Sequence, residues 1–350
     1  MLNRKDEHVE LARKFYEDRR ISDFEDVQFV YNSLPEMDLK DISIETSIGG
    51  LYSEFPFFIN AMTGGSLNTK AVNEKLAIVA KETGVAMASG SLSTALKYED
   101  TRDSFEIIRK IDDDGLIFAN LGAEYGIEDA KRAIDILEAD ALQIHLNPIQ
   151  ELIMPEGDRE FSNWLRNIEE LVKGLDVPVI VKEVGFGMSR ETIKQLVDVG
   201  VENIDISGFG GTNFATIENY RREAAEYEYL EDMGQSTAIS LLEAQDFMGK
   251  ADIISSGGIK NPLDIVKSLA LGAKFVGLSA FFLNMVLENG VENTIAKIRS
   301  WRREIKVIMT LLGKKNIEEL TTTDMVIKGN VKEWCQARGI AYEKFANRSR

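Results

Sequence analysis

Eight apolar segments of strand length alternate with amphipathic segments along this chain of 350 residues, and this alternation constrains the fold more than any other feature. The apolar segments are PFFINAMTG (56–64), VAMASGS (85–91), LIFANLG (116–122), ALQIHLN (141–147), PVIVKEVG (178–185), NIDISGF (203–209), DIISSGG (252–258) and FVGLSAFF (275–282). Between them, apolar residues recur every three or four positions, as on one face of a helix. Alternating strands and helices build a parallel sheet that is covered on both faces. Eight such repeats predict an α/β chain folded as a closed (β/α)8 TIM barrel.

The same pattern predicts one domain for residues 1–350. Residues 56–290 would form the barrel core, residues 1–55 an N-terminal extension and residues 291–350 a C-terminal helical extension. The last of these segments carries no motif that indicates a function.

The charge of the chain limits its partners. The sequence has 41 Lys and Arg residues against 58 Asp and Glu residues, which gives a formal net charge of −17. A protein this acidic repels phosphate backbones and anionic lipid headgroups, and its basic residues do not gather into a stripe. We therefore expect no binding to nucleic acid or membranes, and any anionic ligand has to meet a locally positive pocket.

Several features predict a cytoplasmic protein. The N-terminal segment lacks the apolar core of a signal peptide. The most membrane-like window, residues 268–287, is interrupted by Gly272, Lys274 and Gly277, and it is better interpreted as a buried junction of a helix and a strand. The single cysteine, Cys335, cannot form an internal disulfide, which fits a reducing compartment.

Glycine-rich segments follow the last three predicted strands, on the barrel face that usually carries ligand sites. They are SGFGGTN (207–213), SSGGIKNPLD (255–264) and GLSAFF (277–282). Glycines let backbone N–H groups approach a phosphate, and a helix that begins there adds a favourable dipole. These segments predict a site for a phosphorylated cofactor, with tight turns that bind no ligand as the alternative.

Lys182 lies inside the fifth predicted strand, where an ammonium group is costly unless it meets an anion. It would form a Schiff base, as in barrel aldolases, or stabilise negative charge on a reduced flavin ring. An internal ion pair with the neighbouring Glu183 is the structural alternative.

The segment HLNPIQE (145–151) after the fourth predicted strand is the most unusual one. His145 and Asn147 alternate onto one face of the strand, and Gln150 and Glu151 lie just past its end. A single Glu suffices to bind Mg²⁺ when water and substrate phosphates complete the coordination shell. His145 is a general acid/base or an ordinary core histidine.

Taken together, these motifs resemble one family. They are NRKDEH (3–8), INAMTGGS (59–66), NLGA (120–123), HLNPIQE (145–151), VKEVGFG (181–187), SGFGGTNF (207–214) and SGGIKNPLDIVKSLALGAKFVGLS (256–279). The sequence is similar to the type 2 isopentenyl-diphosphate isomerases, which depend on FMN and act in isoprenoid biosynthesis. The glycine segments are shared with many flavin barrels, whereas the pairing of an N-terminal RK-x-EH motif with a QE pair in the barrel is specific to this family.

The resemblance implies a role for each matching residue. FMN would be bound by Ala61, Met62, Thr63, Ser91, Asn120, Lys182, Ser207, Thr212, Gly258, Ile259, Lys260, Ser279 and Ala280. Substrate would be bound by Arg4, Lys5, His8, Ser91, Leu92, Ser93, Asn147 and Gln150. Gln150 and His145 would be catalytic, and Glu151 would bind Mg²⁺.

One position departs from the family pattern. Many members continue with Gln-Arg after Gly-Ser, whereas this chain has Leu92 and Ser93 there, so the usual arginine that contacts the diphosphate is missing. The resemblance also implies that the N-terminal extension folds over the barrel mouth and brings Arg4 and Lys5 to the diphosphate.

The implied reaction is a 1,3-proton shift between isopentenyl and dimethylallyl diphosphate. Reduced FMN would act as acid and base without net redox change, and NADPH would serve only to reduce the flavin. Gln150 would orient the alkene or pass on a proton, Lys182 would offset charge near flavin N1, and Mg²⁺ on Glu151 would hold the diphosphate.

Three alternatives stay open on the sequence alone. They are an FMN-dependent oxidase or dehydrogenase of small hydroxy acids, a Schiff-base aldolase that uses Lys182, and a phosphate-binding scaffold without catalysis. The first should present a His/Arg pair at the barrel mouth, but one of the two histidines, His8, lies outside the barrel segments. Assembly into a homo-oligomer is expected for a barrel with apolar outer helices.

Overall fold

The computed structural model describes residues 4–16, 22–222, 224 and 226–349, without the side chain of Arg4. The strands are β1 Val27–Phe29, β2 Thr46–Ile48, β3 Leu51–Ser53, β4 Phe57–Ile59, β5 Met87–Ala88, β6 Ile117–Gly122, β7 Ala141–Leu146, β8 Val179–Glu183, β9 Asn203–Asp205, β10 Asp252–Ser256, β11 Phe275–Leu278 and β12 Met325–Ile327. The helices are α1 Arg4–Lys14, α2 Leu67–Thr83, α3 Ser93–Lys97, α4 Asp103–Ile111, α5 Ile127–Leu137, α6 Pro148–Ile153, α7 Trp164–Gly174, α8 Arg190–Asp198, α9 Phe214–Arg221, α10 Thr237–Glu243, α11 Pro262–Ala270, α12 Ala280–Glu288, α13 Gly290–Leu312, α14 Ile317–Leu320 and α15 Gly329–Arg338.

Strands β4 to β11 form a closed parallel barrel in chain order. The first and last of them close it, with Phe57 opposite Val276 and Ile59 opposite Leu278. Each strand lies within one of the eight apolar segments, so the predicted (β/α)8 fold is confirmed. The window 268–287 contains the end of α11, strand β11 and most of α12, as expected for a buried junction.

The inward side chains change from apolar to polar along five of the barrel strands. Phe58 stacks on Phe275 at a centroid distance of 4.6 Å in an apolar layer that also contains Phe118 and Ile180. Two residues further along each strand, where the same face recurs, the buried side chains are polar. They are Asn60 after Phe58, Asn120 after Phe118, Gln143 after Ala141, Lys182 after Ile180 and Ser256 after Ile254. The barrel interior therefore consists of an apolar layer and, nearer the carboxyl ends of the strands, a polar layer. We call the open end at the carboxyl ends of the strands the mouth.

Side-chain caps start several of the helices that follow barrel strands, among them α2 and α11, and so they fix where those connecting loops end. Ser66 accepts a hydrogen bond from the Thr69 amide at the start of α2, and Asn261 accepts one from the Asp264 amide at the start of α11. Each cap satisfies a backbone N–H that lacks a partner within its helix, which typically contributes about 1 kcal/mol.

The described part of residues 1–55 is divided between the two ends of the barrel. Helix α1 lies at the mouth, where Leu11 and Ala12 pack against Ile217 of α9. The hairpin of β2 and β3 closes the opposite end, because Ile48 packs in the same apolar cluster as Phe58. The prediction that all of residues 1–55 cover the mouth is therefore wrong for the hairpin, which buries Ile48 against the opposite end of the barrel.

The C-terminal segment contains helices α14 and α15 and most of α13, and it also contains strand β12. This strand pairs antiparallel with β1, with Val27 opposite Ile327, so the two terminal segments are joined. In addition, the buried carboxylate of Glu243 accepts hydrogen bonds from Trp334 and Arg338 of α15, each at 2.8 Å. No helix in the described ranges is both long and apolar enough to cross a membrane.

Candidate active site

A cavity of about 290 Å³ opens at the carboxyl ends of the barrel strands, between the connecting loops and α1. Most of the residues singled out in the sequence line it. They are Lys5, His8, Ala61, Met62, Ser91, Ser93, Asn120, His145, Asn147, Gln150, Glu151, Lys182, Ser207, Thr212, Gly258, Ile259, Lys260, Ser279 and Ala280. Residues from all eight strand ends and from the N-terminus therefore meet around one space.

Two singled-out residues lie behind the cavity wall. Leu92 is fully buried in the main hydrophobic core, and its amide donates to the carbonyl of Asn120 at 2.9 Å. Thr63 is also buried, and its carbonyl accepts from the amide of Gly90 at 2.9 Å. Both residues therefore shape the loops that carry the wall. The side chain of Arg4 lies outside the part of the chain that the structure describes.

Asp205 is the charged centre of the polar layer. Its fully buried carboxylate accepts hydrogen bonds from Asn60 Nδ2 at 2.9 Å and Ser256 Oγ at 2.6 Å, and it lies 3.8 Å from Lys182 Nζ. The ion pair suggested between Lys182 and Glu183 is therefore wrong, because these neighbours on β8 point to opposite faces of the strand. The Lys182 ammonium also donates to the carbonyl of Glu183 at 2.6 Å.

A row of amide side chains connects Asp205 to His145 across the barrel. Gln143 Nε2 lies 3.0 Å from Asn60 Oδ1, Asn120 Nδ2 lies 3.2 Å from Gln143 Oε1, and His145 Nδ1 lies 2.9 Å from Asn120 Oδ1. Burial lowers the pKa of His145 to about 3, and the charges of Lys182 and Lys5 act in the same direction. His145 is therefore neutral at any ordinary pH.

The Glu183 side chain shapes the loop after β8. Its Oε2 accepts from the amides of Val184, Gly185 and Phe186 at 2.7, 2.8 and 2.6 Å. Burial raises the pKa of Glu183 to about 7, although these hydrogen bonds and the charge of Lys182 oppose the shift. The loop is thus wrapped around one carboxylate, and it brings Val184 and Gly185 to the cavity wall.

The glycine segments after β9 and β10 pack directly against each other. A Cβ atom on Gly258, whose φ is +71°, would lie 2.8 Å from Gly210 Cα, and one on Gly257 would lie 2.0 Å from Gly208 O. Their backbones therefore form a cradle that side chains would fill. Beside it, the buried Thr212 Oγ1 has no hydrogen-bond partner among the described residues. A cradle of backbone and an unpaired hydroxyl fit a phosphate group.

Gln150 is held from both sides by residues of two helices. Its Nε2 donates to Glu218 Oε1 at 3.1 Å, and its Oε1 accepts from Asn147 Nδ2 at 3.2 Å. Asn147 also donates to Glu151 Oε1 at 2.8 Å, and the Asp158 amide donates to the other oxygen of Glu151 at 2.8 Å. Pro148 at the start of α6 begins the helix that carries this group.

Glu218 joins α1 to the barrel. Its fully buried carboxylate lies 2.9 Å from His8 Nε2 and pairs with Arg221, which also contacts Glu7 at 3.0 Å. Burial alone would raise the pKa of Glu218, but His8 and Arg221 lower it overall. The carboxylate is therefore charged at neutral pH, and it orients Gln150 and the N-terminal helix together.

Sequence reasoning missed several residues at the site, four of which bear on its chemistry. Lys97, Glu124 and Tyr125 line the cavity, and Glu218 lies directly behind Gln150. Desolvation raises the pKa of Glu124 to about 7, helped by the negative charges of Glu151 and Asp158. Lys97 follows the second barrel strand, and Glu124 and Tyr125 follow the third, so their positions were a signal that the sequence offered. Nothing in the local sequence around Glu218 distinguishes it from a surface glutamate of a helix.

The comparisons first define a class of protein. Residues 125–327 match the family model described as FMN-dependent dehydrogenase. Among solved structures, an arginine-to-lysine mutant of flavocytochrome b2 has a TM-score of 0.64 at 21% identity, covering 91% of this chain and 78% of that one. A mandelate oxidase mutant has a TM-score of 0.62 at 17% identity, covering 92% of both chains. The chain is thus an FMN-dependent barrel protein, and these two structures share its fold.

Relatives of nearly equal length narrow this class to one family. Proteins named isopentenyl-diphosphate delta-isomerase are 49% identical to this chain in Listeria welshimeri, covering 99% of this chain and 97% of the relative, and in Staphylococcus epidermidis, covering 96% of both. The relative of that name from Latilactobacillus sakei is also 49% identical, covering 97% of both. The chain belongs to the isopentenyl-diphosphate delta-isomerase family.

Proposed function

We propose that this protein is an FMN-dependent isomerase that interconverts isopentenyl and dimethylallyl diphosphate by a 1,3-proton shift. The observation that carries the proposal is the 49% identity over 99% of the chain to a protein of that name. The site supports it, because Lys5, Gln150 and Glu151 meet a phosphate cradle around one cavity.

The site argues against the two other enzyme classes. A hydroxy-acid oxidase needs a His/Arg pair, but no arginine lines the cavity among the described side chains, and His145 is held neutral in the amide row. A Schiff-base lysine must lose its proton before it attacks a carbonyl. The Lys182 nitrogen instead lies 3.8 Å from the buried Asp205 carboxylate and 2.6 Å from the carbonyl oxygen of Glu183, so it is engaged by the protein.

The cradle, Thr212 and Lys260 would hold the FMN phosphate, and Lys182 would place its positive charge beneath the cavity. When bound, reduced FMN supplies an electron-rich ring that gives and accepts a proton without net redox change. Lys182 would therefore contribute electrostatic stabilisation, and the Asp205 carboxylate holds the lysine in position.

Gln150 would position the alkene of the substrate. Its carboxamide cannot rotate freely, because Glu218 accepts from its nitrogen and Asn147 donates to its oxygen. One N–H of Gln150 thus stays available toward the cavity. His145, with a pKa of about 3, is a weak base and is not an imidazolium acid at neutral pH, so we assign it a binding role rather than proton transfer.

Glu151 would bind Mg²⁺ together with the diphosphate. The described residues include no preformed cluster of three His, Cys, Asp or Glu ligands. A single carboxylate fits Mg²⁺, which is usually held by one or two carboxylates, water and substrate phosphates. Lys5 of α1 would contact the same diphosphate, and the contacts of His8 with Glu218 and of Glu7 with Arg221 hold α1 in place for it.

NADPH would act only as a reductant of the flavin, and we also propose a cytoplasmic location and a homo-oligomeric assembly. These proposals rest on the family resemblance and on the sequence composition.

The test is anaerobic conversion of isopentenyl diphosphate by protein loaded with chemically reduced FMN and Mg²⁺. We expect dimethylallyl diphosphate to form over many turnovers with no NADPH present, because substrate and product have the same oxidation level. The Gln150→Ala variant should lose most of this activity while it retains FMN. If product formed only after NADPH was added, with one NADPH consumed per turnover, the result would instead support an oxidoreductase.

A further inference from the structure

The cations that line the cavity fall on different sides of the barrel. Lys260 follows β10 beside the glycine cradle, and Lys182 lies on the floor, where Asp205 pairs with it. Three strands around the barrel from β10, helix α3 after β5 brings Lys97 to the wall. The cavity therefore has a second positive position, far around the barrel from the one proposed for FMN phosphate.

Lys97 shares one helical face with the position at which the family arginine is missing. Ser93 is the first residue of α3 and Lys97 the last, so they are four residues apart and project from the same side of the helix. Both line the cavity. The exposed side chain of Lys97 forms no ion pair with any other described residue, which leaves its ammonium available to a ligand.

The surroundings of Lys97 require an added cation if an anion is to bind there. Glu124, Glu151, Glu156 and Asp158 also line the cavity, and the charge of Lys97 acts on Glu124. Without enough positive charge, these carboxylates would repel a diphosphate. The one arginine of the neighbouring loop, Arg159, is occupied by the carbonyls of Met154, Gly157 and Asp158.

We propose that Lys97 binds the diphosphate group of the substrate and replaces the arginine that is absent at Ser93. The inference rests on the proposed function for the identity of the ligand. Lys97 would act from the barrel side of the diphosphate and Lys5 from α1, with Mg²⁺ on Glu151 as the third positive group. Because an ammonium on a flexible stem is a point charge, it fits a ligand that is already oriented by other groups.

The experiment compares Lys97→Met with Lys131→Met, which removes the same charge from an exposed position on α5 outside the cavity. The probe is inorganic pyrophosphate, titrated calorimetrically into the FMN-loaded protein with Mg²⁺. We expect Lys97→Met to raise the Kd of pyrophosphate and the KM of isopentenyl diphosphate about tenfold or more, as for the loss of a charge-assisted contact. Lys131→Met should change neither value.

Two further variants separate binding from a structural role. Lys97→Arg should keep the wild-type affinity, and an arginine introduced by Ser93→Arg should restore much of the affinity lost in Lys97→Met. The melting temperature of Lys97→Met should equal that of the wild type. Wild-type values of Kd and KM in Lys97→Met would overturn the inference while the isomerase assignment stands. If wild-type protein did not isomerise the substrate, a weakened binding of pyrophosphate would still support Lys97 as an anion-binding residue.

Discussion

A single residue without a side chain decides whether two loops can meet at the cofactor cradle. Gly258 has a φ of +71°, which side chains rarely tolerate, and the backbone of the loop after β9 lies against the position that a Cβ would take. The glycine segments were recognisable in the sequence for this reason. The sequence did not reveal which glycine contacts which loop, because the contact joins residues almost fifty positions apart.

We predict that Gly258→Ala abolishes tight FMN binding, because the new methyl group forces the two loops apart. FMN affinity, measured by quenching of flavin fluorescence, should fall at least tenfold. Gly126→Ala is the matched control, since a Cβ there meets no atom within 4 Å. Equal FMN affinity in both variants would contradict the cradle.

At the scale of elements, the barrel strands were predictable and their partners at the rims were not. Each barrel strand is buried and lies in a segment rich in apolar residues, because the sheet is covered on both faces. Strands β2, β3 and β12 are three residues long each, and they did not belong to the eight repeated apolar segments from which the barrel strands were predicted. The contact of Glu7 with Arg221 could not be predicted, because it joins residues 214 positions apart. Lys97 could not be distinguished from other surface lysines in the sequence, because only the fold brings it to the cavity.

The loop after β8 gives stability a pH dependence through Glu183. Its pKa rises from 4.5 to about 7 on folding, so between these values the folded protein holds a proton that the unfolded chain has released. The contribution of Glu183 to the free energy of unfolding therefore decreases as the pH rises through this interval. The decrease is about 3 kcal/mol at most.

We predict that Glu183→Gln removes this pH dependence of the free energy of unfolding. Relative to the wild type, the variant should gain stability between pH 4.5 and about 7. Urea denaturation of the FMN-free protein at several pH values measures the difference. Glu202→Gln changes an exposed glutamate just before β9. Its free energy of unfolding should change with pH as that of the wild type does across the same interval. A parallel curve for Glu183→Gln as well would refute the assignment.

At the scale of the whole molecule, the C-terminal segment acts as a clasp on the outside of the barrel. Strand β12 pairs with β1, and Glu243 of α10 receives Trp334 and Arg338 from α15. None of these residues lines the cavity. The segment that carried no functional motif in the sequence therefore has a structural role.

We predict that Arg338→Met lowers the free energy of unfolding by about 1–2 kcal/mol, because the buried Glu243 carboxylate loses a charged donor. The value is moderate because Arg338 is itself partly exposed to solvent. Arg303→Met, at an exposed position on α13, should have little effect. Chemical denaturation measures both changes, and isomerase activity well below the unfolding temperature should be retained in both variants.

The row of amides below the mouth has a direction. An ionised carboxylate only accepts hydrogen bonds, so Asp205 forces Asn60 to present its N–H₂ group, and the carbonyl oxygen of Asn60 then faces the N–H₂ group of Gln143. The same order repeats at Asn120, whose oxygen is left for the imidazole. The Nδ1 atom of His145 must therefore carry the proton and Nε2 the lone pair. A carboxylate on one side of the barrel thus selects the tautomer of a histidine three side chains away.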